Sequence, residues 1–494
     1  MTKPLLIPGY TCGARVDASR AGVLVDGRDF YRAFYAAACQ AQRTILLAGW
    51  QFSCDVELVR GDDAKDAQYP TRLIELLKHL CEERPELEVY LLPWDSNPVF
   101  AFEREPLQRL KLLLRGHGRI HWKMDNAHPA GASHHQKMFI IDRAIGFLGG
   151  MDLCDSRWDD RRHLIDAPAR CNRGRPYKPY HDVNAYVIGD GVDVLRSWFT
   201  ERWRRATGEP LELPDVPRTA IEIEPTFEVS APNIALARTW PASEDGKERE
   251  VCEILRLHQR AIASARRVIY IENQYFSSHQ IAAAIEARMK QRGSPRLDIV
   301  MVLPKESAGL KERISIGVYQ AELLNRLTKI ARRTGHRLGI YYHVSAEEVP
   351  VFVHAKVLAV DDRFLLISSA NLSNRSMGFD SELGIAWESP EPSTSLRNAR
   401  MELLAEHCGL SRDAADPLLA SPLRLVERLD TLARSKDYAL RIHDRNRDER
   451  AGWLLRRVLP KRTHFDPENP QQFHEGLPEP IAWLDRLWLR LRSA

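Results

Sequence analysis

The sequence predicts an α/β layered fold with mixed or parallel sheets, built twice over with the two copies meeting across a pseudo-two-fold axis. Three observations lead there. The string His135-Gln136-Lys137-Met138-Phe139-Ile140-Ile141-Asp142 has a chemical twin in His354-Ala355-Lys356-Val357-Leu358-Ala359-Val360-Asp361. Each ends in an apolar run and is followed by a small-residue pair, Gly149-Gly150 or Ser368-Ser369. Around each, apolar runs of strand length alternate with segments of helical periodicity in the same order.

In the first half, residues 29–43 read as a helix, with Phe30, Phe34, Ala37, Ala38 and Ala41 at helical spacing. Residues 44–50 are an apolar strand, 71–81 a helix and 87–92 a second strand, and the His135 string occupies a third. His181-Asp182 then opens a strand over 183–188, followed by a helix over 192–203. The second half repeats this. Residues 249–266 are helical, with Val251, Ile254, Leu255 and Ile262 on one face. Strand 268–272, helix 278–290, strand 297–303, helix 318–333 and strand 338–342 lead to the His354 string. Ser381-Glu382 opens a strand over 383–387 and a helix over 395–407. Residues 1–210 and 248–421 form the two halves. The Pro-rich stretch 211–247 reads as a linker, and 422–494 as a C-terminal helical extension with no counterpart in the first half.

The length of 494 residues accommodates two to four domains. A net charge of +4 is too small to imply a nucleic-acid partner. None of the eight cysteines forms a Cys-x-x-Cys pair, so no zinc site of ordinary spacing is expected, and most are expected to be reduced. Pro4 and Pro8 interrupt the apolar start, so no signal peptide is expected. No run of about 18 apolar residues could span a bilayer. The expected location is cytoplasmic or peripheral to a membrane, with export by a route lacking a cleaved signal still open.

On a strand, residues i and i+2 share a face. His135 and Lys137 therefore point the same way, as do His354 and Lys356. Lysines offer point charges to non-bridging phosphate oxygens, and imidazoles titrate near neutrality. One imidazole can attack phosphorus while the other protonates the leaving oxygen. Each needs its far nitrogen held by an acceptor. Asp182 and Glu382, at matched places in the two halves, are the candidates. Asp142 and Asp361 complete the repeated string and join the histidines and lysines as candidate catalytic residues. Their odd offset from the histidines puts them on the other strand face, where they are expected to support backbone. The basic run from Arg157 to Lys178 reads as a phosphate rim or a solvated loop. Trp50, Trp94 and Tyr275 could line a pocket or belong to the core.

These residues closely resemble the phospholipase D superfamily with its duplicated His-x-Lys-x4-Asp motif. The resemblance extends over roughly residues 23–410. It includes Gly149-Gly150-Met151-Asp152, Tyr180-His181-Asp182, Ile271-Glu272-Asn273-Gln274-Tyr275-Phe276 and Ser369-Ala370-Asn371, and points to the eukaryotic-type branch. It implies two similar α/β sandwich lobes with one active site at their interface and a covalent phosphohistidine formed without a metal or other cofactor. By motif position, His135 resembles the nucleophile and His354 the general acid. Lys137, Lys356 and Asn371 resemble phosphate-binding residues. Asp152 stands where many relatives carry Asn, which puts that contact in doubt. Only about 22 residues precede the first half, so a minimal catalytic core without regulatory lipid-binding modules is expected.

The implied activity is hydrolysis of a glycerophospholipid at a membrane surface to phosphatidate and a headgroup alcohol, with water or an added alcohol as acceptor. The alternatives are a phosphatidyltransferase of the cardiolipin-synthase type, a metal-independent nuclease, and a catalytically dead lipid-binding protein. No nucleic-acid partner is expected. In the tail, Trp483, Leu484, Leu487, Trp488 and Leu491 fall on one helical face, suited to docking on the core or to an interfacial anchor.

Overall fold

The computed structural model describes residues 3–95, 116–243, 249–306, 317–443, 466–469 and 471–472. Two mixed sheets organise the chain. The first contains β1 (Ala18–Val25), β2 (Thr44–Gly49), β3 (Glu88–Pro93), β4 (Ile120–Trp122), β5 (Met138–Ile141), β6 (Ile145–Gly149) and β7 (Val183–Gly189). The second contains β8 (Asn233–Trp240), β9 (Val268–Asn273), β10 (Asp298–Val302), β11 (Arg337–His343), β12 (Lys356–Val360), β13 (Phe364–Ser368) and β14 (Glu382–Glu388). The first runs β1-β7-β6-β5-β2-β3-β4 and the second β8-β14-β13-β12-β9-β10-β11, the same spatial order. Parallel pairing is confined to β2-β3-β4 and to β9-β10-β11, and the other neighbours within these two runs are antiparallel.

The central strands β2 and β9 are buried along their whole length, because both faces of each sheet are covered. On the outer face of the first sheet, helices α1 (Asp26–Gln40) and α2 (Leu73–Glu83) set Phe30, Phe34, Leu76 and Leu80 against Ile45, Leu47, Phe139 and Ile141. After β7 comes α3 (Asp190–Thr207). Helices α4 (Glu253–Ser264), α5 (His279–Lys290) and α6 (Val318–Thr334) cover the second sheet in the same way. Further on lie α7 (Asn374–Gly378), α8 (Thr394–Cys408), α9 (Arg412–Leu419) and α10 (Leu425–Arg434). The alternate residues of the central strands face inward. Leu46, Ala48, Met138 and Ile140 share one core with Tyr270, Val357, Ala359 and Ile385, joined by Phe199 of α3 and Leu403 of α8. The two sheets thus bury their inner faces together, which brings the ends of β5 and β12 toward a common site.

The segment expected to be a linker carries β8, an eight-residue strand paired along β14. The prolines of that stretch leave a gap between Pro232 and Pro241, and the strand fills it. The strand β1 was also not expected from its composition. A short strand, Ala14–Val16, pairs with β8, and the backbone N–H groups of Leu5 and Leu6 donate to the Glu388 carboxylate at 2.7 and 3.1 Å. The N-terminal arm therefore packs on the second sheet. Within the expected extension, α10 and the strand Leu440–Ile442 complete the edge of that sheet beside β11. The Trp483–Leu491 face and the charged run 444–450 lie outside the described residues. Among the described residues no helix is long and apolar enough to cross a membrane. All eight cysteines are free thiols.

The histidine and lysine of each motif sit just ahead of, or at the first residue of, the strand rather than along it. The motif aspartates are a different matter. Asp142, at φ 51°, accepts the backbone N–H groups of Gln42, Arg43 and Thr44 at 2.7, 2.8 and 2.7 Å. Asp361, at φ 56°, accepts those of Arg266, Arg267 and Val268 at 2.6, 2.7 and 2.9 Å. Each fastens the turn after its strand to the start of β2 or β9. Although they belong to the repeated string with the catalytic candidates, their carboxylate oxygens are committed to backbone donors. Asp142→Ala is expected to lose about 3 kcal/mol of stability by stranding those donors, read as a lower urea midpoint with an unchanged slope.

Candidate active site

Backbone pairing between the halves positions the histidines. Tyr180–His181 runs parallel to Phe352–Val353, and the N–H of His354 donates to the carbonyl of His181 at 2.8 Å. In the mirror arrangement His134 bridges Ser381, and the N–H of His135 donates to the carbonyl of Ser381 at 2.9 Å. Each histidine thereby lies beside the residue that precedes the other half's carboxylate. The side chains complete the exchange. His135 Nδ1 is 3.0 Å from Glu382 Oε2, and His354 Nδ1 is 2.6 Å from Asp182 Oδ2.

The carboxylates and lysines are buried, whereas the His135 and His354 side chains remain 12% and 13% exposed. Bound through Nδ1, each imidazole keeps Nε2 for an incoming group. Burial, reinforced by the charges of Lys137 and Lys356, pushes His135 well below the usual imidazole range. Burial and Lys356 likewise depress His354, with Asp182 pulling the other way.

The two halves differ in detail. Lys137 Nζ is 3.1 Å from Asp152 Oδ2, and Asp152 Oδ1 also accepts the N–H of Trp50. The Asp152 position thus carries a counter-charge for Lys137. In the second half the matched residue is neutral Asn371, whose side-chain oxygen is buried without a hydrogen bond. Lys356 instead meets neutral acceptors, Gln274 Oε1 at 3.4 Å and the His354 carbonyl, and lies 2.9 Å from His354 Nδ1. Burial pushes Lys356 down to about 7, against the opposing pull of Asp182.

The carboxylates differ too. Burial raises Asp182, but the His354 charge and hydrogen bond outweigh it and leave Asp182 below the usual carboxylate range. Burial pushes Glu382 up to about 7, despite the Ser369 hydroxyl that donates to it. Ser369 occupies the place that Gly150 holds in the first half. A Cβ on Gly150 would stand 2.1 Å from Asp182 Oδ1, so only glycine lets that carboxylate sit there.

Trp50 meets the His135 ring edge-on at 5.2 Å, and Tyr180 lies 5.5 Å from His354. Trp50 thus lines the site, whereas Trp94 is core. The basic run is mostly occupied internally. Arg157 lies over Tyr180, Arg161 bonds Glu406 and Arg170 bonds Asp159. Sequence reasoning did not single out Ser369 as the residue that bonds Glu382, nor Asp466, which binds Ser277 and Asn374. Ser369 is legible in retrospect from its alignment with Gly150.

Residues 37–292 match the family described as Phospholipase D, and residues 259–402 match Cardiolipin synthase, PLD-like domain. The chain belongs to the phospholipase D superfamily. Its curated relatives are of the eukaryotic type. Phospholipase D A of Dictyostelium discoideum is 26% identical over 471 residues, covering 78% of this chain and 35% of the relative. Phospholipase D alpha 4 of Arabidopsis thaliana is 24% identical over 516 residues, covering 81% and 66%. The chain therefore spans less than two thirds of these relatives. Phosphatidylserine synthase of Haemophilus influenzae Rd KW20 shares the fold, with a TM-score of 0.52 and 13% identity over 97% of this chain and 95% of that one.

The exchanged pairs make a selective prediction for a phospholipase D fold of this kind. Gly150→Ala is expected to shift the Nδ1–H resonance of His354 and spare that of His135. Ser369→Ala is expected to do the reverse, by releasing its hydrogen bond to Glu382. Proton NMR of imidazole-labelled protein reads both.

Proposed function

We propose that this chain is a phospholipase D that hydrolyses glycerophospholipids at a membrane surface to phosphatidate and headgroup alcohol through a covalent phosphohistidine. The observation that carries this reading is the inequality of the two imidazole–carboxylate pairs. Asp182 is held ionised and opposes the depression of His354 by burial and Lys356. Glu382, pushed up to about 7, supports an imidazolium less strongly and leaves His135 neutral. A neutral imidazole is a nucleophile and a protonated one is an acid.

In the first step His135 Nε2 forms a bond to phosphorus as the bond from phosphorus to the headgroup oxygen breaks. His354 gives its proton to that oxygen. The arriving phosphodiester anion offsets the lysine charges and strengthens the hold of His354 on its proton. In the second step water attacks phosphorus, His354 takes a water proton, and the P–N bond to His135 breaks. Lys137, Lys356 and Asn371 contact the phosphoryl oxygens, where charge builds in the transition state. A primary alcohol in place of water yields a phosphatidyl alcohol.

The family match over residues 259–402 favours a second reading, transfer of the phosphatidyl group to a lipid alcohol. Phosphatidylglycerol as sole lipid separates the two: phosphatidate plus glycerol marks a hydrolase, cardiolipin plus glycerol a transferase.

With phosphatidylcholine vesicles and a short primary alcohol, mass spectrometry is expected to show choline release and the phosphatidyl alcohol. His135→Ala and His354→Ala should each lower turnover at least about 10³-fold. Undiminished turnover in either variant would defeat the reading.

A pH dependence also follows. Lys356 loses its charge as pH rises through about 7, so kcat/KM should fall above that pH. The limb should move upward in kcat at saturation, because the bound anion holds the lysine proton. A pH profile of both constants checks this.

A further inference from the structure

Behind Asp182 lies a second cluster of titratable side chains that the reaction does not use. It joins Asp26 at the start of α1, His163 from a loop and His181 from the short strand Tyr180–His181 of the first half, and Glu406 of α8 in the second. All four are buried, and one donor atom from each lies within 4.8 Å of the others. His181 Nδ1 is 2.6 Å from Glu406 Oε1 and 3.0 Å from Asp26 Oδ1. His163 Nε2 is 3.3 Å from the same Glu406 oxygen and 3.5 Å from Asp26 Oδ2. Donors at zinc-bond length on a tetrahedron stand about 3.3 Å apart, so these separations bracket the required edge.

The outer nitrogens of both imidazoles are held by carboxylates. His163 Nδ1 is 3.0 Å from Asp159 Oδ2, and His181 Nε2 is 2.9 Å from Glu272 Oε2. Asp159 is itself fixed by Arg170 and by the N–H of Tyr180. Carboxylates behind the rings put the proton on the outer nitrogen and leave the inner lone pair directed into the cluster, as in metal-binding histidines. A separate feature points to a missing partner: Asp26 Oδ2 is buried and has no hydrogen bond.

Charge counting agrees. Asp26, Asp159, Glu272 and Glu406 bring four negative charges, and Arg161 and Arg170 return two. Glu402, at the rim, is met by Arg412 at 3.4 Å. Left bare in a dry interior, the remaining two negative charges are costly, so they require either protonated His163 and His181 or a bound cation. A divalent cation with neutral imidazoles cancels them, and its ligands would come from both halves.

We propose that Asp26, His163, His181 and Glu406 form a four-coordinate site for a divalent first-row transition cation, zinc foremost, that clasps the two halves together behind the active site. Two imidazoles and two carboxylates suit zinc. Complete burial leaves no open position for a water, so the ion is structural.

The test uses the full chain, purified without a metal-affinity tag and dialysed against metal-free buffer. Elemental mass spectrometry is expected to find about one such cation per chain, falling to background in His163→Gln and Glu406→Gln. X-ray absorption at the zinc edge should show a nitrogen and oxygen shell that includes imidazole and no sulfur. Wild-type protein refolded in chelator should unfold at a lower temperature than protein refolded with zinc, and the gap should close in His163→Gln. If the variants do not fold, the wild-type metal content and absorption spectrum decide alone. A folded wild type that carries no metal and ignores zinc overturns the proposal, leaving His163 and His181 as the two compensating cations. A sulfur-containing shell overturns it as well.

Discussion

The exchange of hydrogen-bond partners between the halves is the constraint on which the site depends. Neither motif completes itself: His135 reaches across to Glu382, and His354 reaches across to Asp182. The exchange is set in backbone before side chains enter, by two parallel pairings that place each histidine beside the residue preceding the partner carboxylate. Those pairings hold only if the sheets keep their inner faces together. The shared apolar core, with Met138 and Ile140 of one half against Val357 and Ala359 of the other, is therefore part of the catalytic apparatus in an energetic sense. Burial supplies the cohesion, and the same burial perturbs Glu382 and Lys356.

Duplication supplies two equal half-sites, and small departures make them unequal. Asp152 against Asn371 gives one lysine a counter-charge and leaves the other facing neutral acceptors. Gly150 against Ser369 admits one carboxylate by absence of a side chain and tethers the other with a hydroxyl. Each exchange involves one side chain at a matched position. Alongside these differences, Asp182 lies below the usual carboxylate range while burial holds Glu382 up to about 7 despite the Ser369 hydroxyl, a difference in local electrostatics that a symmetric pair could not provide.

Much of this was legible in the sequence where a local pattern carries the information. Helix α6 follows its amphipathic period to Thr334 and stops at Gly335, which takes the left-handed conformation of a C-terminal cap. The buried strands β2 and β9 announce themselves by apolar composition. Strand β8 does not, because Asn233, Arg238 and Thr239 interrupt its apolar pattern and a proline-rich stretch precedes it. At the site, spacing identifies the histidines, the lysines and the two matched carboxylates, but not which carboxylate serves which imidazole. That depends on how the halves dock, a property of their surfaces. The cluster around His181 was hidden for a related reason. Asp26, His163, His181 and Glu406 share no spacing, and His163 lies in a loop whose charges read as a phosphate rim or a solvated loop.

The N-terminal arm bears on how such a molecule comes to exist. Its short strand joins the second sheet, and Leu5 is bonded to Glu388, 383 residues later in the chain. At ordinary elongation rates the arm leaves the ribosome roughly 20–80 s before that partner does. For the earlier part of that interval the short strand lacks its β8 partner as well, and long-range pairing of this kind is slow to form even when both ends are present. Final closure consequently waits for a partner 383 residues further along the chain. The yield of finished protein in a cell then depends as much on what shelters residues 5–16 during synthesis as on the stability of the fold they complete.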